Sequence, residues 1–218
     1  MRTKELFTPR HTVAAELIEK YEYPWEILAH IKDFILEIGK KLDTGCFVEE
    51  IPGVWIAKSA KISDSAYIGA PAIIDEGAEV RHCAFIRGSV IIGKGCVVGN
   101  STEMKNSIIF DGVQVPHYNY VGDSILGYKA HLGAGAITSN VKSDKSTVSV
   151  IIDGKKEDTG LKKLGAMIGD MVEVGCNSVL CPGTVIGRDA TVYPLSRVRG
   201  TVASGSIFKN EDDIVKKQ

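Results

Sequence analysis

The sequence has almost no excess charge of either sign: 26 Lys and Arg stand against 27 Asp and Glu, scattered along 218 residues. Without a basic stripe, binding to nucleic acid or to an anionic membrane surface is not expected. The chain also lacks any uninterrupted run of eighteen apolar residues, and its opening stretch has no continuous apolar core. Neither a membrane span nor a secretory signal is therefore read, and a cytoplasmic location is expected. Cys46, Cys83, Cys96, Cys176 and Cys181 are odd in number and lack C-x-x-C spacing. They read as reduced, small packing residues. A G-T-R-type loop opening a Rossmann-like domain is missing, and the glycines of LGAGAIT lack the Lys-Ser/Thr of a P-loop. Nucleotidyl transfer and P-loop chemistry are therefore not expected.

What is present is a repeat. Ile56, Ile62, Ile68, Ile74, Val80, Ile86, Ile92 and Val98 recur at six-residue intervals, and the fourth position after each is small in nearly every unit, as at Ala60, Ala66, Ala72, Ala78 and Ala84. Neither a helix nor an ordinary strand has period six. The pattern fits a triangular coil of three short strands, eighteen residues per turn, with one aliphatic inside each side and a small residue at each corner. The series runs on through Met104 and Phe110, breaks, and resumes in a shifted register at Leu126, Leu132 and Thr138, then from Ile168 through Val198. The spacing predicts a loop leaving the coil at 111–125 and a β-hairpin inserted at about 142–165, where VSVII meets an Asp-Gly turn.

Three segments are expected: helical at 1–48, coil at 49–204 and a polar tail at 205–218 that is frayed or briefly helical. In the first, Leu28, Ile31, Ile35, Ile38 and Leu42 have helical spacing, with Pro24 suited to a first turn and Gly39 near the end, and a shorter helix is read over Val13–Tyr21. These helices are expected to cap the open first turn, which would otherwise expose unpaired strand edges, or to brace a neighbouring subunit.

Arg87 and Lys105 lie eighteen positions apart, each directly after a column aliphatic. On adjacent turns they would stand about 5 Å apart. Two such cations either hold an anion, for which a phosphate suits an Arg fork beside a Lys point charge, or are neutralised by Glu103 or another local acid. Near them, His117 in VPHYNYVGD is a candidate base, since neutral imidazole can deprotonate an ammonium or hydroxyl near neutral pH. His82 is read as a surface residue, and no metal site is expected, because His117 has no partner at H-x4-H spacing.

The stretch from VGNSTEMKN to AITSNVK, with its His-x-x-Tyr-x-Gly-Asp core, resembles the acetyltransferase half of the bifunctional enzymes that make UDP-N-acetylglucosamine. The following segment, hairpin included, is similar to the archaeal sugar-1-phosphate enzymes of that family, and the resemblance spans about residues 50–200. It implies a left-handed parallel β-helix, a homotrimer with the site between subunits, and acetyl transfer from acetyl-CoA to the amino group of a hexosamine 1-phosphate. It makes His117 the general base and gives Arg87, Lys105 and Tyr120 to the sugar's phosphate. Asn140 falls at a sugar-contacting position, His131 beside the sugar where the family has Asn, and Lys145 near a basic position. Ala134, Cys176 and Pro194 fall along the acetyl-CoA wall. The non-enzyme alternative is a silent coil that binds sugar phosphates or scaffolds a separately encoded nucleotidyltransferase.

Overall fold

The structure, a computed structural model, describes residues 1–152 and 154–217. From Val54 onward the chain winds as a parallel β-helix with three faces, in which each short strand pairs with its counterpart one turn later. Face A stacks Ile56, Ile74, Ile92, Ile109, Leu126, Ile168, Ile186 and Val202. Face B stacks Ile62, Val80, Val98, Val115, Leu132, Val174, Val192 and Phe208. Face C stacks Ile68, Ile86, Met104, Val121, Thr138, Leu180 and Val198. Corners turn through left-handed backbone at Cys83, Ser101, Tyr118, Gly135, Asn177 and Leu195 between faces B and C, and at Gly77, Gly95, Gly112, Lys129, Met171 and Asp189 between faces A and B.

The break in the repeat is not a loop. Residues 111–125 stay in the coil, with Gln114–His117 on face B and Tyr120–Leu126 running through face C into face A. The register shifts because two sides are one residue short, from Met104 to Ile109 and from Val121 to Leu126, so two successive turns take seventeen residues rather than eighteen. Phe110 therefore falls just past the column. It is buried all the same, its ring centroid 5.2 Å from that of Phe7. The short corners hold because Ser107 and Ser124, buried at these bends, donate to the carbonyls of Lys105 and Gly122 at 2.7 and 2.8 Å.

The insertion leaves between faces C and A, so that forty-two positions separate Leu126 from Ile168. Its neck is closed by the Leu164 N–H donating to the Asn140 carbonyl at 3.0 Å. Beyond the neck, Ser149–Ile152 and Lys155–Asp158 form an antiparallel hairpin, and Asp153 of its Asp-Gly turn lies outside the described residues. Among its described residues the tail is neither frayed nor helical. Ser206–Asn210 continues face B, with Phe208 buried on Val192, and Asp213–Lys216 folds back antiparallel to it. Of the cysteines, Cys96 is buried, Cys46 and Cys181 are half-buried, and Cys83 and Cys176 are exposed, so the packing role read for the set does not extend to the last two.

The helical segment consists of α1 (Thr3–Leu6), α2 (Ala15–Lys20), a 3-10 turn over Pro24–His30, α3 (Ile31–Ile38) and a final 3-10 turn over Gly39–Lys41. It does not cap the first turn. Face A carries aliphatics outside as well as inside: the outward row Trp55, Ile73, Ile91, Ile108, Ile125, Met167 and Val185 is buried along its length. The helical segment lies on this row, and α3 packs on the strands that carry Ile91 and Ile108. The approach is tight at Gly39, where a Cβ would stand 2.3 Å from the Trp55 ring. Further along, Thr8 donates to Asp170 at 2.6 Å, Arg188 reaches Thr8 and the Glu5 carbonyl, and His11 stacks on Tyr128 at 3.8 Å.

Two expectations follow. Ile91→Ala should cost about 2–5 kcal/mol, as much as Ile92→Ala inside the coil, because both fill closed space; equilibrium urea unfolding of the pair checks this, and a solvent-facing Ile91 would show almost no loss. Asp75 is 2% exposed, and its carboxyl is pushed up chiefly by burial, opposed by the Glu76 backbone N–H and by Lys94 and helped by the negative charges of Asp111 and Glu76. Folded protein therefore binds that proton more tightly than unfolded chain, and stability drains away as pH rises from the ordinary carboxylate range toward the raised folded value. Asp75→Asn should raise the melting temperature at neutral pH, with the gain shrinking in acid.

Candidate active site

At the two shortened corners, position after position carries a polar residue. Lys105 pairs with Gly122 across the sheet, and Asn106, Asp123 and Asn140 follow one another at seventeen-residue spacing. Asp123 is the hub. Its side chain is 6% exposed, and it accepts from Lys105 Nζ at 3.3 Å, Asn106 Nδ2 at 3.0 Å and Asn140 Nδ2 at 2.5 Å. A residue with φ of +49° is required at this bend, a conformation that Asp and Asn tolerate better than other side chains.

Tyr120 leans into the same corner, where its hydroxyl accepts from Asn140 Nδ2 at 3.2 Å. It can do so because Gly122 lacks a side chain: a Cβ there would lie 2.5 Å from Tyr120 Oη. Burial, then the negative charge of Asp123, pushes the Tyr120 phenol up from its ordinary value. One turn below, Arg87 binds Glu103 at 2.8 Å, and that carboxylate holds the guanidinium pKa up. Both cations inferred from the repeat are thus paired, Arg87 with Glu103 and Lys105 with Asp123. The depression they line has a volume of about 300 Å3, and its wall is completed by Ala70, Pro71, Gly88, Ser89 and, from α3, Lys32.

His117 is elsewhere on the prism. It ends its face-B strand beside Asn100, at the corner between faces B and C, and is exposed. This corner is held from inside by Asn119, which is 2% exposed. Its Oδ1 accepts the His117 N–H at 3.1 Å, and its Nδ2 donates to the carbonyls of Gly133 and Ala136 at 2.8 and 3.0 Å. Among the described residues the His117 imidazole has no hydrogen-bond partner. The same corner carries the positions read as a cofactor wall. Successive turns bring the Gly135 N–H onto the His117 carbonyl at 3.0 Å, the Asn177 N–H onto that of Ala134 at 2.8 Å, and the Leu195 N–H onto that of Cys176 at 2.9 Å. Pro194 stacks next, close against Gly175.

One chain therefore gathers Arg87, Lys105, Tyr120 and Asn140 at the C–A edge, and His117, Ala134, Cys176 and Pro194 at the B–C edge. Face C lies between them. His131 joins neither group: it points outward from face B and bonds Glu173 at 2.8 Å. Lys145 is exposed in the insertion, beyond its neck. Asp123, Asn106 and Asn119 carry the arrangement without having been read as site residues, although the seventeen-residue spacing of Asn106, Asp123 and Asn140 was available to find two of them.

Asp123→Asn keeps a residue suited to the bend but removes the charge, so the Tyr120 phenol should titrate at lower pH than in the wild type. Ultraviolet titration, with Tyr120→Phe as the reference that removes the signal, measures the shift; an unmoved titration would take Asp123 out of Tyr120's surroundings.

A family model described as the GMPPB C-terminal domain matches residues 68–202. Among curated relatives, a bifunctional sugar-1-phosphate nucleotidylyltransferase/acetyltransferase of Sulfurisphaera tokodaii is 36% identical over 72% of this chain and 39% of its own length. The bifunctional protein GlmU of Methanococcus maripaludis strain C5 is 34% identical over 88% of this chain and 47% of its own. The chain thus spans less than half the length of these relatives. A solved structure, the polySia-specific acetyltransferase NeuO, overlays 72% of this chain and 80% of its own with a TM-score of 0.49 at 15% identity.

Proposed function

The chain belongs to the GMPPB C-terminal domain family, and from that premise we propose that it transfers an acetyl group from acetyl-CoA to the amino group of a sugar phosphate, a hexosamine 1-phosphate of the glucosamine type. The carrying observation is that Arg87 and Lys105 line one small depression with Asp123, and that Asn140 ties Tyr120 to the same carboxylate by donating to both. The name of one relative, a bifunctional sugar-1-phosphate nucleotidylyltransferase/acetyltransferase, supports acetyl transfer and a sugar-phosphate substrate class.

In the proposed reaction, Arg87, Lys105 and Tyr120 hold the phosphate and Asn140 meets the sugar. Neutral His117 takes a proton from the ammonium group, and the freed amine attacks the thioester carbonyl. Backbone N–H groups of the coil donate to the oxyanion, and collapse of the tetrahedral intermediate expels the thiolate of CoA, which leaves protonated. The base and the acceptor cradle occupy different edges of one chain, so the working unit is a homotrimer in which the B–C edge of one protomer faces the C–A edge of the next. The acetyl-CoA then lies along Ala134, Cys176 and Pro194, and His131 and Lys145 join the site from a neighbouring copy. No nucleotidyl transfer is assigned to this chain.

A second reading, a silent sugar-phosphate-binding scaffold for a separate nucleotidyltransferase, draws support from the already paired cations and the unanchored imidazole. One assay separates the two: release of free thiol from acetyl-CoA with a panel of amino-sugar 1-phosphates. Turnover is expected, and His117→Ala should lower it at least about 100-fold while the assembly and sugar-phosphate binding persist. Binding without any turnover by the wild type would leave the scaffold standing instead. Arg87→Ala should chiefly raise KM for the sugar phosphate; a change confined to acetyl-CoA would reverse the assignment of the two edges.

A further inference from the structure

The helical segment's cover over face A accounts for Ile31 and Ile35, which are fully buried, and for Gly39 against Trp55. It does not account for Lys32. Helix α3 runs along the C–A edge toward the first turn, since Leu36 comes within contact distance of the Gly53 position and Gly39 meets Trp55. Its other end is thereby brought to the level of Arg87 and Lys105, and Lys32 lines the depression with them.

The charges there divide unevenly. Arg87 is matched by Glu103 and Lys105 by Asp123, so those four groups sum to zero. Lys32 is exposed and has no acidic partner among the described residues. The formal charge of the depression is thus +1, and Lys32 supplies it. A monoester phosphate entering a neutral cluster would have to compete with two carboxylates for both cations. A lysine on a flexible four-carbon stem, uncommitted and at the rim, meets the anion without breaking an existing pair.

We propose that Lys32 is a phosphate-binding residue of the acceptor site, so that α3 serves the site as well as covering face A. The inference rests on the acceptor-site reading given above and adds to it the source of the attraction for the anion. It also gives a helix outside the coil a place in substrate selection: an acceptor bearing a phosphate gains from Lys32, and an amino sugar without one does not.

The test uses the whole chain. Lys32→Ala replaces an exposed helical residue by a good helix former and leaves the fold intact. KM for glucosamine 1-phosphate should rise about five- to tenfold, the scale of one partly exposed charge-assisted contact, with kcat within about twofold and KM for acetyl-CoA unchanged. Lys32→Arg should recover most of the loss, and Lys32→Glu should exceed it. Calorimetric titration with glucosamine 1-phosphate gives the same ranking without turnover. A Lys32→Ala protein equal to wild type in both measurements overturns the proposal, as does a loss appearing in kcat or in acetyl-CoA KM instead. A wild-type protein that binds no sugar 1-phosphate overturns the acceptor-site reading itself, a result that leaves the covering role of α3 untouched.

Discussion

In-register stacking of each turn on the one before it is the constraint from which the rest of this molecule follows. Parallel strands pair at about 4.8 Å, so whatever stands at one position of a turn stands directly beneath its counterpart in the next. Inside, the rule makes aliphatic columns that each add roughly 1.5–3 kcal/mol per buried side chain. Outside, it makes columns of chemistry: carbonyls and N–H groups at His117, Ala134 and Cys176 on one edge, amides and a carboxylate at Asn106, Asp123 and Asn140 on another. A column of like charges cannot survive this rule unaided. Two unit charges about 5 Å apart repel by roughly 3 kcal/mol at an effective dielectric of 20, and Glu103 and Asp123 relieve Arg87 and Lys105 of that cost.

The same rule decides what the helices are for. Two faces of the coil are aliphatic inside and mixed outside, but face A repeats an aliphatic doublet, as in Ile73-Ile74, Ile91-Ile92 and Ile108-Ile109. An uncovered row of that length would be a large apolar patch on the surface. The helical segment removes it from water and leaves faces B and C with their edges as the surfaces that remain.

How much of this could be read beforehand follows from the strength of each signal. A six-residue period over eight units is unmistakable, and the coil was legible in it. The doublets are equally present, yet a period of one aliphatic per six passes over a second beside every third one, so the helices read only as an end cap or as a brace for a neighbouring subunit. A loop at 111–125 follows from the shifted register only where residues are added to the repeat. Taking one residue out of a corner shifts the register in the same way and keeps the chain in the ladder, with Ser107 and Ser124 satisfying the tightened turn. The tail's polarity points away from the coil, and Phe208, a single apolar residue, is all that marks it as continuing face B. Of the site, side chains were legible and their distribution was not: spacing put Arg87 and Lys105 together, but nothing along the chain says that residues 117 and 120 straddle a corner and face opposite ways around face C.

The C–A edge has a further consequence for the proposed chemistry. The two carboxylates that neutralise the cations are not equivalent. Asp123 is buried and held by Asn106 and Asn140 as well as Lys105, so it stays where it is when an anion arrives. Glu103 is one-third exposed and tied to Arg87 alone. An exposed pair of that kind is worth at most about 1 kcal/mol, and a phosphate can take its place on the guanidinium while Glu103 turns to water. In the proposed site Lys105 and Asn140 would thus be held by a carboxylate that stays, Arg87 would be released by one that turns away, and Lys32 would be available from the start. Such a cradle holds its geometry while empty without being uniformly positive, and so keeps a stable column in the absence of substrate.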